Sequence, residues 1–404
     1  MSRAFILFIF VCLVNVSMAQ HVDITVAQDG SGDYKTITEA IEQLPDTTCG
    51  RVVIFIKNGI YHEKFRIEYD NLSLIGENRD STIIKYSLLR TDWMKNKDAI
   101  GEAVVNIHAN DVILKNLTIT NSQPEIGPHA FAVYGRGTRT IIDNCTITSK
   151  GADTVSLWDS ENGMYYHTNC HFEGAVDFVC PRGWCFISNS SFYEVKQTAA
   201  IWHAGSINKN QKFVIKNSFF DGIEGFHLGR HHYEARFYLI NCSYSKHMAD
   251  KPIYRVTYPD KPEKNQPYVW GERKYFSNSK KEGKVFDWLT DNIQNADTIS
   301  AKWTFDGRWD PENAIPPKCL KIDESKDEFV LTFSEAMTIR GDLQIKAADG
   351  TVYSLKNKKD AKTIIFSKNG QALKSKSFAV TSGELLASQA SLTERKMNQI
   401  QIDK

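Results

Sequence analysis

Net charge is nearly absent from this chain: 49 Lys and Arg stand against 48 Asp and Glu in 404 residues. Neither a basic face for nucleic acid nor an acidic tail is implied by that balance. Cysteine is sparse and poorly arranged for a covalent framework. Beyond Cys12, an odd set remains (Cys49, Cys145, Cys170, Cys180, Cys185, Cys242 and Cys319), and its uneven spacings do not make a disulfide scaffold, although Cys180 and Cys185 are close enough to pair. No Cys/His spacing of a zinc site occurs, so no metal is expected, and no cofactor. Long hydrophobic runs are missing as well. The apolar stretch from Phe5 to Val16 is too short for a bilayer-spanning helix, so a membrane-spanning protein is not expected and a retained anchor is the lesser reading.

That stretch has another reading. Arg3, the apolar run and the small-x-small site Ser17-Met18-Ala19 form a secretory leader over residues 1–19, cleaved before Gln20. Cys12 lacks the small residues that precede a lipid-attachment cysteine. The expected product is a monomer released to the periplasm or the cell exterior, and removal of Arg3 leaves 48 charges of each sign.

What the chain does have is a repeat. Asparagine, a small or apolar residue, and then a large apolar residue two places on recur as Asn116-Leu117-Thr118-Ile119, Asn144-Cys145-Thr146-Ile147, Asn169-Cys170-His171-Phe172, Asn189-Ser190-Ser191-Phe192, Asn217-Ser218-Phe219-Phe220 and Asn241-Cys242-Ser243-Tyr244. Successive asparagines lie 28, 25, 20, 28 and 24 residues apart. That period holds three short strands and their turns but is too irregular for rigid helical repeats, so it predicts a parallel β-helix. Each Asn is expected to hydrogen-bond its copy in the next rung, and Cys145, Cys170 and Cys242 to be buried thiols.

Two aspartates fall into register with this repeat. Asp153 lies nine residues past Asn144 and Asp177 eight past Asn169. Consecutive rungs would place their backbones about 4.8 Å apart. Two carboxylates so close cannot both ionise cheaply, so one should keep its proton.

Elsewhere, Thr36 to Leu44 has helical spacing and would cap an open end of the coil. Strand signals separated by Gly, Asn and Asp turns fill Arg51 to Tyr244. Residues 245–318 break the pattern, with a helix expected around Val285 to Leu289 and aromatic residues that either line the groove or merely pack. Pro316-Pro317 marks a boundary. Beyond it, Phe329–Phe333, Leu343–Lys346, Thr351–Leu355 and Thr363–Phe366 read as strands. The fold class expected is all-β, a right-handed parallel β-helix over residues 20–318 followed by a small C-terminal β-sandwich over 319–404, resembling immunoglobulin-like modules of bacterial secreted enzymes.

The contexts of the two aspartates, Gly151-Ala152-Asp153-Thr154-Val155 and Gly174-Ala175-Val176-Asp177-Phe178, resemble the two aspartate signatures of the pectin methylesterases, a family with a right-handed parallel β-helix fold. Val26-Ala27-Gln28-Asp29-Gly30-Ser31-Gly32-Asp33-Tyr34, Gly59-Ile60-Tyr61-His62-Glu63, His129-Ala130-Phe131-Ala132-Val133 and Leu228-Gly229-Arg230 agree with the family in order. The resemblance covers about residues 22–315. It implies Asp177 as nucleophile on a methyl-ester carbonyl, Asp153 as proton donor to methanol and then base for water, and Arg230 as the cation holding Asp177 ionised. The substrate implied is a pectic polysaccharide. Tyr61 and Glu63 read at least as well as packing and structural residues.

The sequence departs from the family where the tetrahedral oxyanion would form. Ala152 and His129 stand where glutamines usually donate to that oxygen, and loss of one such donor costs about a hundredfold or more in turnover. His129 can offer one N–H when neutral and two when charged. Trp202, His203, His227 and His232 crowd the same region and are taken as substrate-binding residues. Pro181 replaces the usual glycine just after the nucleophile. Two competing readings remain open at this level: a catalytically degraded β-helix that only binds pectin, and a β-helix polysaccharide lyase or hydrolase.

Overall fold

The computed structural model describes residues 21–44, 50–204, 208–265 and 268–402. The leader expected over 1–19 and Cys49 lie outside the described residues.

The repeat asparagines show why the chain coils. Asn116, Asn144, Asn169, Asn189, Asn217 and Asn241 all have positive φ, between 49° and 56°. Asn tolerates this left-handed backbone better than other residues with a β-carbon, because its short amide bonds locally. Each therefore turns the chain sharply between two strands. Their side chains then form a ladder: Asn144 Nδ2 donates to Asn116 Oδ1 at 2.9 Å, Asn217 to Asn189 at 3.4 Å and Asn241 to Asn217 at 3.0 Å. Asn278, at φ 49°, extends the ladder with a 2.9 Å bond to Asn241. The ladder is interrupted at Asn169, which donates instead to Asp143 at 3.1 Å.

Three residues past each asparagine the large apolar side chain points inward. Ile119, Ile147, Phe172, Phe192, Phe220 and Tyr244 are register partners in consecutive rungs, and none is more than 1% exposed. Phe192 and Phe220 stack at 4.3 Å between ring centres. Burying each such side chain contributes about 1.5–3 kcal/mol. Cys145, Cys170 and Cys242 are buried beside them, as expected, and Cys180 and Cys185 are also free buried thiols.

Parallel strands stack into a ten-stranded sheet from Ile24–Val26 to Lys274–Ser277, a nine-stranded sheet, and a third face made of a four-stranded and a three-stranded piece. The helix Ile37–Glu42 closes one end; Thr36 caps it, and the Glu63 carboxylate accepts from Ile37 N, Thr38 N and Thr38 Oγ1. Tyr61 is fully buried, its hydroxyl donating to Lys57 O at 2.8 Å. Both residues are thus accounted for by packing and capping. The helix expected near Val285 is not formed. Phe286 and Leu289 are buried there, linked by one turn bond from Leu289 N to Phe286 O, and Gly283 at φ 74° precedes them. One-sided burial over a loop mimicked a helical period.

From Cys319 onward, seven antiparallel strands form one sheet whose outer strands, Cys319–Glu324 and Gln399–Gln401, come together at a bridge between Cys319 and Ile402, giving a nearly closed barrel. The small β domain expected after the coil is present, its strands in one nearly closed sheet where a sandwich was expected, and it docks on the outer face of the ten-stranded sheet. There Trp309, fully buried, donates to Ala390 O at 2.8 Å, and Arg51 reaches Ser388 O at 2.7 Å.

The ladder makes a stability prediction. Asn217→Ala removes two ladder bonds and leaves a β-carbon in left-handed backbone without the amide that eases it, an expected loss of about 1–2 kcal/mol. Asn217→Gly should lose less, since glycine adopts that backbone freely. Urea midpoints of the two variants should rank glycine above alanine.

Candidate active site

The third face of the coil is broken where the two aspartates lie. Its four-stranded piece ends at Val155–Leu157 and its three-stranded piece begins at Ala199–His203; between them the chain contributes only Val179, bridged to Val155 on one side and Ile201 on the other. This register places Asp177 directly over Asp153, one rung apart. Asp153 and Asp177 both have φ 59°, and Val176 has φ 44°. A β-branched residue at positive φ is strained, so the surroundings must hold it.

Arg230 meets Asp177 as a fork on a carboxylate, with Nε donating at 2.8 Å to Oδ1 and Nη2 at 2.6 Å to Oδ2. Such paired, charge-assisted bonds fix orientation as well as charge. Burial pushes the Asp177 carboxyl above its ordinary value, and Arg230 pulls it back. Burial and the neighbouring Asp177 push Asp153 up to about 7, opposed more weakly by Arg182 and Arg230. Arg230 itself stays charged, since its bonds to Asp177 outweigh the effect of burial. The pair thus divides into an acid that keeps its proton near neutral pH and a carboxylate held by a cation.

The other expected site residues separate into three groups. His129 borders the pair, its Nε2 3.8 Å from Asp153 Oδ2 and its side chain half exposed. Burial and Arg90 lower its pKa, so it is neutral near pH 7 and offers one N–H. Ala152, bridged to His129, is 2% exposed and brings no polar side chain. Trp202 and Arg230 are register partners, His232 packs edge-on against Trp202 at 5.2 Å, and His227 packs on Tyr254. Burial holds His232 at about 4, hence neutral, with Nε2 3.0 Å from the Tyr258 hydroxyl. His203 is not brought to this cleft. It is 1% exposed, packed on Phe213 and Phe237, with Nε2 bonded to Gly183 O at 2.8 Å. Among the described residues no cluster of His, Cys, Asp and Glu suits a metal ion.

The structure adds residues that motif matching passed over. Tyr254, the register partner of Arg230, and Tyr258 come from the irregular segment after the coil, which therefore lends aromatic rings to the cleft. Arg182, next to the unusual Pro181, lies over Trp158 at 3.9 Å and Trp202 at 5.0 Å. Pro181 was the available signal. Behind Asp177, Val176 N donates to Thr198 Oγ1 at 3.1 Å, and Thr198 Oγ1 donates to Glu194 Oε1 at 3.3 Å. Glu194 is fully buried, and no cation pairs with it among the described residues; burial pushes its carboxyl up to about 9. Nothing in the repeat distinguishes it, because its neighbours Gly174 and Gly222 occupy the same register position without a side chain.

Comparison with known proteins agrees with this geometry. The family described as Pectinesterase matches residues 23–233, just over half of the chain. Pectinesterase 4 of Arabidopsis thaliana is 29% identical over 167 residues, covering 41% of this chain and 28% of the relative. A pectinesterase/pectinesterase inhibitor of Ficus pumila var. awkeotsang is 30% identical over 177 residues, covering 43% and 31% respectively. The chain thus spans less than a third of either protein's length. Among solved structures, the pectin methylesterase PemA from Erwinia chrysanthemi superposes with a TM-score of 0.59 at 21% identity, covering 74% of this chain and 100% of that one. A pectin methylesterase in complex with a hexasaccharide gives the same score, identity and coverage.

Glu194 supplies a test by pH. A buried carboxyl with a raised pKa stabilises the fold fully below its unfolded pKa and loses that contribution as pH rises through the folded value. Glu194→Gln, which has no proton to lose, should therefore gain in melting temperature relative to the parent from about pH 4.5 upward, with the gap widening to about pH 9. Parallel melting curves that keep a constant gap would contradict a neutral Glu194.

Proposed function

Since the chain belongs to the pectinesterase family, we propose that it hydrolyses methyl esters of galacturonosyl units in pectin and releases methanol. The observation that carries this reading is the asymmetric carboxyl pair, with Asp177 gripped by Arg230 and Asp153 protonated one rung away.

In this reading Asp177 Oδ attacks the ester carbonyl carbon, Asp153 passes its proton to the departing methoxide, and an acyl-enzyme remains on Asp177. Asp153, now a carboxylate, takes a proton from water as that water attacks the same carbon. The galacturonate carboxylate leaves and both aspartates return to their starting states. Aspartate is a weak nucleophile, so the fork from Arg230 and the left-handed backbone at Val176 and Asp177 matter as orientation. His129 is the candidate oxyanion donor, at the rim of the pair with a single N–H. Trp202, His227 and His232, with Tyr254 and Tyr258, line the cleft for the sugar.

Secretion after removal of residues 1–19 belongs to the same reading, because a polymeric substrate is met outside the cell. Residues 319–404 are read as a separate immunoglobulin-like domain. The first barrel strand at Cys319, just past Pro316-Pro317, and the seven antiparallel strands support this.

Methanol release from methyl-esterified pectin should fall about a thousandfold or more in Asp177→Asn. Release by that variant at the parent's rate would remove the nucleophile assignment, and no release by the parent would favour a pectin-binding protein. His129→Ala should lose about a hundredfold in kcat; an unchanged rate would mean another group donates. The parent's kcat should decline as pH rises through about 7, where Asp153 gives up the proton it must donate.

A further inference from the structure

An anionic polymer needs a cation in the cleft besides Arg230, whose charge is committed to Asp177. Arg182 is available. Among the described residues no carboxylate pairs with it and no side-chain hydrogen bond is made by its guanidinium, whose Nε is shut away from solvent without a partner. The two Nη nitrogens are not enclosed in this way, so the outer edge of the fork is the part that meets solvent.

Its position is fixed from several sides. The guanidinium lies 3.9 Å from the Trp158 ring centre and 5.0 Å from that of Trp202. Trp158 is held in turn by Tyr134, edge-on at 5.2 Å, and by the bond from its Nε1 to Ser156 Oγ. Trp202 is held by His232, edge-on at 5.2 Å. The Arg182 backbone is tied to the preceding rung by its N–H to Leu157 O at 2.8 Å. A planar fork stacked on aromatic rings loses little freedom on binding and keeps its hydrogen-bonding edge free for a planar anion. It lies beside the carboxyl pair, since Trp202, one of the two rings, is the register partner of the Arg230 that grips Asp177.

We propose that Arg182, pressed against Trp158 and Trp202, is a carboxylate-binding subsite that takes the free carboxylate of a de-esterified uronate unit next to the ester being cleaved. The inference rests on the esterase reading for the word "next", and on its own geometry for carboxylate binding. A methyl ester offers the fork only a neutral carbonyl, so the subsite distinguishes charged from esterified neighbours. Arg182 is a specificity residue and takes no part in the bond changes.

The test measures binding in an Asp177→Asn background, where turnover does not consume the ligand. Partly methyl-esterified and fully methyl-esterified oligogalacturonides of equal length are titrated calorimetrically against Arg182 and Arg182→Met forms. Arg182→Met should weaken binding of the partly esterified oligomer by about tenfold or more while leaving the fully esterified one unchanged. Added salt should erase the difference between the two oligomers in the Arg182 form. Equal weakening of both ligands, or of neither, overturns the proposal. If Arg182→Met does not fold, the salt titration of the Arg182 form decides alone: a preference for the free carboxylate that fades with salt supports the subsite, and no preference overturns it. Should the parent release no methanol while the Arg182-dependent preference persists, the catalytic reading falls and the subsite stands.

Discussion

Left-handed backbone at short polar residues is the constraint on which this molecule depends. Each rung must reverse direction within a residue or two, and a β-carbon there is tolerated best when the side chain can bond locally. Asparagine does this at every repeat turn, and except at the break around Asn169 its amide bonds the asparagine of the neighbouring rung. Aspartate shares the tolerance. Asp153 and Asp177 adopt the same backbone at φ 59°, so the device that turns the coil also sets two carboxyls at the break in its third face. The turn of the coil and the placing of the carboxyl pair draw on one conformational preference.

Burial gives this geometry chemical meaning. Carboxyls removed from water favour their neutral form, and only a specific cation reverses the preference. Arg230 hydrogen-bonds Asp177 and acts on Asp153 only from a distance, so the two aspartates diverge although their backbones are copies. Among the described residues Glu194 has no such cation; it stays neutral behind Val176, adding a brace through Thr198 without placing a negative charge beside Asp177. Cleft histidines follow the same rule. His129 and His232 are neutral near pH 7, so they bring no positive charge to the cleft.

Much of this was legible in the chain. The asparagine repeat revealed the coil because each rung imposes the same steric demand at its turn, and the apolar position after it revealed the stacked interior from Ile119 to Tyr244. Counting from the asparagines also put Asp153 and Asp177 in register. The reading was weaker where periodicity stops. Val285–Leu289 imitated a helix because a loop lying on the coil buries one side, at Phe286 and Leu289, much as a helix does. Asn278 was missed because the segment before it is irregular. His203 was grouped with the cleft histidines on proximity in sequence, whereas its ring turns inward to Gly183.

Sequence alone determined the coil, its rung period and the pairing of the two aspartates, because all three follow from local turn preference repeated along the chain, and the motifs around the aspartates carried the family resemblance. Tertiary structure decided which charges act. It set Arg230 on Asp177 across two rungs, placed Arg182 between rings from separate strands, drew Tyr254 and Tyr258 over the cleft, and buried Glu194 without a cation. The reason is physical: hydration and distance between side chains far apart in the chain control ionisation, and neither is a property of a residue or its neighbours in sequence.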